Sequence, residues 1–247
     1  MQNSTPPDNS MPTPRWGSEQ RELKAQAILQ TVTHFMPLNL ATVDCLDIGC
    51  GSGGIAAYLA GFVRQMHGID PEPWQHWENL QQKHPNLCFR NVSVDALQMS
   101  SASLDLIICN QVYEHVPDPK LLIAEIYRLL KAGGCCYFAG PNWLFPIEPH
   151  VFWPFIHWLP RNFAVKLMRA CGSRQILDAN SETYWTLCQW LAQFELTNAV
   201  PYILKNPEQY GRKSFFWRTL AKLPESWLEK LTFLSPTFVF ILSKPAS

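Results

Sequence analysis

Hydrophobic residues along the chain fall into short runs separated by segments of helical periodicity. Five early apolar runs, of a length typical of buried strands, cover residues 42–48, 65–70, 87–92, 104–110 and 134–139. Between most of them, apolar residues recur with the spacing of a helix, most clearly over 118–131. There Pro119 favours the first turn, and Gly133 with Gly134 is expected to end the helix. Alternating strands and helices predict a parallel sheet with right-handed crossovers.

The two ends of the chain differ in composition from the region between them. Residues 1–16 carry four prolines and predict a disordered lead-in, after which Ser18 is expected to cap a helix that runs to about Met36. Beyond Pro141 the chain becomes dense in aromatic residues and prolines, and apolar runs at 194–200 and 236–243 predict two last strands. These changes divide the chain into a lead-in at 1–16, a core at 17–142, an insertion at 143–193, and strands and helices completing the same domain at 194–247.

Charge and cysteine content narrow the classes of function. Twenty basic and twenty acidic residues balance, which argues against a broad electrostatic footprint for nucleic acid. The eight cysteines include no C-x-x-C pair, and five of them lie in apolar runs, so free thiols in a reducing, cytoplasmic compartment are expected. No uninterrupted stretch of about 18 uncharged apolar residues occurs, so no membrane span is expected.

The first apolar run ends on a carboxylate and a glycine loop. The pattern is Asp47-x-Gly49-x-Gly51-x-Gly53, and a helical pattern follows it directly. Glycines at this spacing let the backbone turn sharply and let a ligand approach closely. Gly49, Gly51 and Gly54 also fit the G-x-G-x-x-G fingerprint of dinucleotide binders, so the loop alone leaves the cofactor open. Asp47 favours a ligand with a cationic group over a pyrophosphate.

Two further acids follow predicted strands. Asp70 ends the run 65–70, where a carboxylate can accept hydrogen bonds from the ribose hydroxyls of a nucleoside; the alternative is an acid that caps the next helix before Pro71. Asp95 follows the run 87–92, and taken alone it is more typical of a turn or N-cap residue. Both acids are expected at the carboxyl edge of the sheet, where ligands bind in open α/β folds.

The segment 104–116 carries a second signal, because its strand continues into Tyr113-Glu114-His115-Val116. Together with the glycine loop, it closely resembles the class I S-adenosylmethionine-dependent methyltransferases, in their small-molecule branch that includes enzymes methylating quinone precursors. The resemblance covers residues 40 to 142. It implies a Rossmann-like α/β fold with a seven-stranded, mostly parallel sheet, helices on both faces, an antiparallel last strand, and an aromatic-rich substrate lid after strand five.

The resemblance also implies the cofactor and its contacts. S-adenosyl-L-methionine is the expected cofactor, with an acid at the position of Asp95 approaching the adenine amino group. The residues expected to bind it are Asp47, Gly49, Cys50, Gly51, Gly53, Asp70, Pro71, Asp95, Ala96, Asn110 and Gln111.

The implied reaction is methyl transfer by in-line displacement to a small-molecule acceptor, with an apolar and a glycan-linked acceptor both open. His115 is the candidate general base, although it fits a residue that only shapes the loop. The candidate substrate residues are Trp143, His150, Trp153 and His157. No metal site is predicted, because the spacing of Glu148, His150 and His157 matches no compact ligand motif. The aromatic residues of the insertion fit an acceptor pocket, packing on the sheet, or peripheral contact with a membrane.

Two rival functions remain. An NAD(P)-dependent oxidoreductase is disfavoured by Asp47 and by the segment 110–116. A non-catalytic cofactor-binding or regulatory protein on the same fold is disfavoured by the intact glycine loop and by Asp70 and Asp95. The acceptor, the atom that is methylated and the oligomeric state are left open by the sequence.

Overall fold

The computed structural model describes residues 18–37, 39–175 and 177–246. The predicted lead-in, residues 1–16, lies outside the described residues. The first helix, α1, spans Ser18–Phe35 and so ends one residue before its predicted end. Because the side chain of Ser18 is also outside the description, its role as a cap stays a prediction.

The remaining elements alternate as the sequence pattern predicts. The strands are β1 Asp44–Ile48, β2 Gln65–Asp70, β3 Leu87–Asn91, β4 Leu104–Asn110, β5 Leu130–Pro141, β6 Glu195–Asn198 and β7 Thr237–Ser243. The other helices are α2 Gly54–Ala60, α3 Trp77–Lys83, α4 Pro119–Leu129, α5 Arg161–Ala170, α6 Tyr184–Trp190, α7 Val200–Lys205, α8 Phe215–Leu220 and α9 Glu225–Leu231.

The seven strands form one sheet in the order β3-β2-β1-β4-β5-β7-β6. The first five strands are parallel to one another, and β7 runs antiparallel to both β5 and β6. The predicted seven-stranded, mostly parallel sheet with an antiparallel last strand is therefore confirmed. Because β1, β2 and β4 are neighbouring parallel strands, the loops that leave their carboxyl ends meet at one edge of the sheet.

Helices cover both faces of the sheet, and each face has its own apolar layer. One layer combines α1, α2 and α7 with the strands, through residues such as Ile28, Leu59 and Ile203. The other layer is built around α4 and α6, with Ile126 and Leu187 fully buried. Side chains along β5 alternate between the two layers, which is why its central residues are apolar without interruption.

The predicted end of α4 is wrong. The helix ends at Leu129, and Gly133 and Gly134 lie inside β5 rather than at a helix end. Leu130 is already extended and pairs with Leu104, so tertiary pairing overrides the helical periodicity that continues through this residue. Gly134 is needed for packing of the backbone, because a Cβ there would lie 3.0 Å from the carbonyl oxygen of Lys131.

The segment after β5 contains a small core of its own. Val151, Ile156, Ala164, Met168 and Leu177 form a separate buried cluster, against which Trp153 packs. Helix α6 lies within the predicted insertion 143–193, yet its Leu187 belongs to the second core layer of the sheet. The domain boundaries remain a proposal; the part with an independent core covers residues 151–177.

Tyr113 joins this segment to the sheet. Its ring is fully buried, its hydroxyl donates a hydrogen bond to the carbonyl oxygen of Pro141, and it accepts one from the N–H of Glu182 at 3.1 Å. The amide of Trp143 donates to the carbonyl oxygen of Glu182 at 3.0 Å. One phenol therefore fixes both the end of β5 and the strand-like stretch before α6.

All eight cysteines carry free thiols, and five of them are buried in the strands and the glycine loop. Within the described ranges, no helix is both long enough and apolar enough to cross a membrane.

Tyr113→Phe tests the role of this phenol. Removal of the hydroxyl leaves two backbone groups without a partner, so we expect the free energy of unfolding to fall by about 1–3 kcal/mol. Urea denaturation followed by circular dichroism measures it. Tyr58→Phe is the control, because Tyr58 is half-buried and packs on Phe62. Equal losses in the two variants would contradict the proposed link.

Candidate active site

The glycine loop between β1 and α2 is held in a conformation that requires glycine. Gly49 and Gly53 have φ angles of +66° and +82°, in the left-handed region. A Cβ at Gly49 would lie 2.7 Å from the side chain of Val112, and a Cβ at Gly53 would lie 2.4 Å from the ring of Phe89. The loop is therefore packed directly between the segment after β4 and the strand β3.

Asp70, at the end of β2, braces this loop. One carboxylate oxygen accepts a hydrogen bond from the N–H of Gly51 at 2.9 Å, and the other accepts one from the N–H of Glu72 at 2.9 Å. The carboxylate also borders the cavity described below. Asp70 thus fixes the loop in addition to the ribose contact expected from the sequence.

Asp47 is a buried carboxylate with unmet hydrogen-bonding capacity. It is 2 % exposed, and its Oδ2 has no hydrogen-bond partner among the described residues. Burial, followed by the charge of Asp70, raises the pKa of Asp47 to about 8, while Lys24 opposes the shift. Such a group favours a nearby cation. That this cation belongs to a ligand stays a prediction.

A first cavity of about 890 Å³ lies at the carboxyl edge of the sheet, over β1, β2 and β4. We call it the cofactor cavity. Of the residues predicted from the sequence, those that line it are Gly49, Asp70, Pro71, Asp95, Gln111 and His115. Trp74 also lines it, and its indole Nε1 is buried without a partner among the described residues. The volume suits a nucleoside-sized ligand.

The other predicted cofactor residues lie around this cavity without lining it: Asp47, Cys50, Gly51, Gly53 and Ala96. The side chain of Cys50 points into the apolar core, and burial raises the pKa of its thiol. Its backbone N–H donates to the carbonyl oxygen of Ile69 at 3.0 Å, so it contributes to the shape of the loop.

A second cavity, of about 720 Å³, lies on the other side of the end of β4, and we call it the apolar cavity. Its wall comes from α1, β5, β7 and the helices α7 to α9, and includes Leu23, Val200, Ile203, Trp217, Leu228 and Val239. Most of the lining residues are apolar, and the polar ones are Lys24, Asn110, Gln111, Tyr137, Tyr210, Arg212, Thr232, Ser235 and Thr237. Burial lowers the pKa of Arg212, whose guanidinium lies over the ring of Trp217 at 4.4 Å.

Gln111 borders both cavities. Its φ angle is +59°, a strained value for a residue with a side chain, and its N–H donates to the carbonyl oxygen of Ala139 at 2.7 Å. Asn110, the last residue of β4, lines the apolar cavity. The left-handed turn therefore places this short segment between a polar cavity and an apolar one.

His115 belongs to a polar cluster that also contains His150; the side chain of His115 is exposed, and that of His150 is partly buried. Glu114 is fully buried, and burial raises the pKa of its carboxyl to about 7. Its Oε1 lies 4.0 Å from Nε2 of His115 and 3.7 Å from Nε2 of His150. Nδ1 of His150 hydrogen-bonds to Glu148 at 2.7 Å. The structure thus brings the predicted base, His115, next to a predicted substrate residue, His150.

Glu114 and Glu148 were not among the predicted site residues. The sequence signals are the repeated pairing of Glu with His, in Glu114-His115 and in Glu148-Pro149-His150. Burial alone would lower the pKa of His150, but the hydrogen bond and charge of Glu148, together with the charge of Glu114, outweigh burial and raise it.

The remaining predicted substrate residues, Trp143, Trp153 and His157, line neither cavity. The carbonyl oxygen of Trp143 accepts hydrogen bonds from the rings of His157 and Trp158, at 2.9 and 2.7 Å. Trp153 packs on the small core of this segment. These aromatic residues fold the segment on itself, and the structure does not bring them to the place where the two cavities meet.

Comparisons with known proteins agree with this geometry. Residues 46–138 match a family model described as a methyltransferase domain. The chain is 33% identical over 119 residues to the ubiquinone biosynthesis O-methyltransferase of Albidiferax ferrireducens, covering 46% of each chain. The chain spans about half the length of the curated relatives it matches.

Solved structures match over most of the chain. The YcgJ protein of Bacillus subtilis superposes with a TM-score of 0.55 at 16% identity, over 92% of this chain and 99% of that one. Phosphoethanolamine N-methyltransferase 1 of Haemonchus contortus, solved with phosphoethanolamine and S-adenosylhomocysteine, superposes with a TM-score of 0.59 at 15% identity, over 93% of this chain and 44% of that one. At these identities the superpositions establish the fold.

Asp70→Asn tests the cofactor cavity. Asp70 braces Gly51 and is expected to hold the ribose, so we expect binding of S-adenosylhomocysteine to weaken by about 1.5–3 kcal/mol, as measured by calorimetric titration. Glu72→Gln is the control, because Glu72 lines the same cavity and is exposed. An unchanged dissociation constant in Asp70→Asn would remove Asp70 from the site.

Proposed function

We propose that this chain contains a class I S-adenosylmethionine-dependent methyltransferase domain and that it transfers a methyl group from that cofactor to a hydroxyl oxygen of a small, apolar acceptor. The acceptor would occupy the apolar cavity, and the cofactor the cofactor cavity. The observation that carries this proposal is Gln111, which lines both cavities. Methyl transfer needs two ligands in line, and two cavities of different polarity that share one wall suit that requirement.

The residues present fit the cofactor. Asp70 and Asp95 border the cofactor cavity and would hold the ribose and the adenine. The loop at Gly49 leaves room for a ligand to approach the backbone closely. Oδ2 of Asp47 and Nε1 of Trp74 have no hydrogen-bond partner among the described residues, so they offer the ligand an acceptor and a donor. When bound, S-adenosylmethionine supplies a methyl group that is already electrophilic. The protein's task is then to align the two reactants and exclude water, which in well-oriented systems contributes about 7–11 kcal/mol.

Lys24 and Arg21 of α1 were not predicted as site residues. The guanidinium of Arg21 donates a hydrogen bond to the hydroxyl of Ser52 in the glycine loop. Lys24 lines the apolar cavity; desolvation lowers the pKa of its ammonium, against the charges of Glu114 and Asp47. Helix α1 would therefore close the cofactor site and bring one positive charge to the junction of the two cavities.

The wall of the second cavity favours an apolar acceptor over a glycan-linked one. Its side chains are largely aliphatic and aromatic, and they offer few partners for the many hydroxyl groups of a sugar. The matched curated relatives, described as ubiquinone biosynthesis O-methyltransferases, support oxygen as the methylated atom.

An acceptor hydroxyl must lose its proton during transfer, and His115 is the proposed base. It is the ionisable imidazole that borders the cofactor cavity within the described residues, and its ring faces Glu114. A neighbouring carboxylate stabilises the imidazolium that forms when the base accepts a proton.

The proposal is tested with two measurements on the purified chain. Calorimetry with S-adenosylmethionine, S-adenosylhomocysteine and NAD identifies the cofactor. Mass spectrometry then follows methylation of catechols that carry methyl, butyl or octyl chains. We expect binding of both sulfur nucleosides and faster methylation as the alkyl chain lengthens. Binding of NAD alone would indicate an oxidoreductase, and cofactor binding without methylation of any catechol would favour the non-catalytic alternative.

Ala27→Phe tests the acceptor cavity separately. Ala27 lines the apolar cavity from α1, so a larger side chain would occupy the space expected for the acceptor. We expect kcat/KM for the octyl catechol to fall about tenfold or more, with S-adenosylhomocysteine affinity unchanged. Ala124→Phe, on the exposed face of α4, is the matched control. Equal activity of Ala27→Phe and the control would place the acceptor elsewhere.

A further inference from the structure

Three potential metal ligands converge behind the end of β4. They are a carboxylate oxygen of Glu114, a ring nitrogen of His115 and a ring nitrogen of His150, and all three lie within 4.8 Å of one another. Glu114 and His115 come from the loop after β4, whereas His150 comes from the segment after β5. The fold, and not the spacing along the sequence, therefore brings His150 to the other two residues.

Glu114 lacks the partners that a buried carboxylate needs. It is fully buried, and neither of its oxygens has a hydrogen-bond partner among the described residues. An ionised carboxylate in this state is costly unless a cation compensates it. The nearest ring nitrogens, at 3.7 and 4.0 Å, are too distant for hydrogen bonds.

The same distances suit donors that share one ion. Bonds of a nitrogen and an oxygen to a divalent metal measure about 2.1 Å, so two ligands of one ion lie at most about 4.2 Å apart. The separations of 3.7 and 4.0 Å from Glu114 to the two imidazoles fall within that limit. The limit of 4.8 Å for all three atoms exceeds this value, so the two imidazoles must move towards each other before they share one ion.

A second carboxylate, that of Glu148, orients the imidazole of His150. Glu148 is buried, and its Oε1 holds Nδ1 of His150 at 2.7 Å. Its Oε2 accepts hydrogen bonds from the N–H groups of His150 and Val151, both at 2.7 Å. With the proton on Nδ1, Nε2 of His150 is left to face Glu114. Metal-binding histidines usually have such a carboxylate behind them.

Asp178 lies near His115 but beyond hydrogen-bond distance, with its Oδ2 4.0 Å from Nδ1. Two other charged groups act on Glu114: Lys24 favours its ionised form, and Glu148 opposes it. Two imidazoles and one carboxylate form a donor set that suits divalent transition metals such as zinc, manganese or iron and is less suited to calcium or magnesium.

We propose that Glu114, His115 and His150 bind one divalent transition-metal ion, with Glu148 as the residue that positions His150. His115 lines the cofactor cavity, so the remaining coordination positions would open towards that cavity. If the proposed function holds, an acceptor oxygen could take one of these positions, where the ion would lower the pKa of its hydroxyl. With the ion bound, His115 would act as its ligand and not as the general base. The binding site itself does not depend on that function.

The test uses the full-length, tag-free chain after removal of metals with a chelator. Cobalt(II) is titrated in while its visible absorption is recorded, and bound zinc is counted by inductively coupled plasma mass spectrometry after dialysis. We expect one ion per chain and loss of stoichiometric binding in His150→Ala and Glu114→Gln. Glu148→Gln should retain the site with affinity about 10–100-fold weaker.

His157→Ala is the matched control, because His157 lies in the same segment and hydrogen-bonds to the carbonyl oxygen of Trp143. It should bind cobalt like the unaltered chain. His150 lies at the edge of the cluster, so its variant keeps the test valid if Glu114→Gln fails to fold. Absence of stoichiometric binding in the unaltered chain, or equal binding by His150→Ala and His157→Ala, would overturn the proposal.

Two further results separate this proposal from the proposed function. In one outcome the chain binds cobalt stoichiometrically, yet after removal of the metal it still methylates the acceptor at full rate. That outcome would leave the metal site intact and remove its catalytic role. Failure to bind S-adenosylhomocysteine, with cobalt bound at the three ligands, would contradict the function and leave the metal site standing.

Discussion

The left-handed turn at Gln111 is the constraint on which the site depends. The N–H of Gln111 is tied to Ala139 of the neighbouring strand, so the chain leaves β4 in one direction only. That direction places Gln111 between the two cavities, packs Val112 on the glycine loop, and buries Tyr113 and Glu114. The strained backbone of Gln111 is explained by its position between the two cavities and by the packing of the residues that follow it.

Polar groups that oppose folding are concentrated around this turn. Asp47 and Glu114 are buried carboxylates with unmet hydrogen bonds, and burial raises the pKa of each, to about 8 and about 7. With apolar residues at these two positions, folding of the chain would be more favourable. Departures from the rules of stable folding are expected where a protein binds ligands. In the proposed function Asp47 would face a cationic part of the cofactor, whereas Glu114 lies beside two histidines.

The sequence predicts the sheet well because most of its strands are short apolar runs, each followed by a polar residue, a glycine or a proline. Asp70 and Asp95 could be placed at the ligand edge for the same reason. The end of α4 could not be predicted, because Leu130 fits both a helical and a strand pattern, and only its pairing with Leu104 decides between them. The apolar cavity could not be predicted either, because the sequence does not distinguish a lining residue such as Ile203 from any other buried residue of a helix. His150 meets Glu114 only through the folding of the segment after β5.

A crystal structure of the chain with S-adenosylhomocysteine and an octyl catechol would test the central claim most directly, namely that cofactor and acceptor occupy two cavities that meet at Gln111. We predict that the ribose lies at Asp70, that the sulfur atom lies at Gln111, and that the alkyl chain lies among the helices α7 to α9. A nucleoside bound in the apolar cavity, or a catechol bound away from the sulfur atom, would contradict the account.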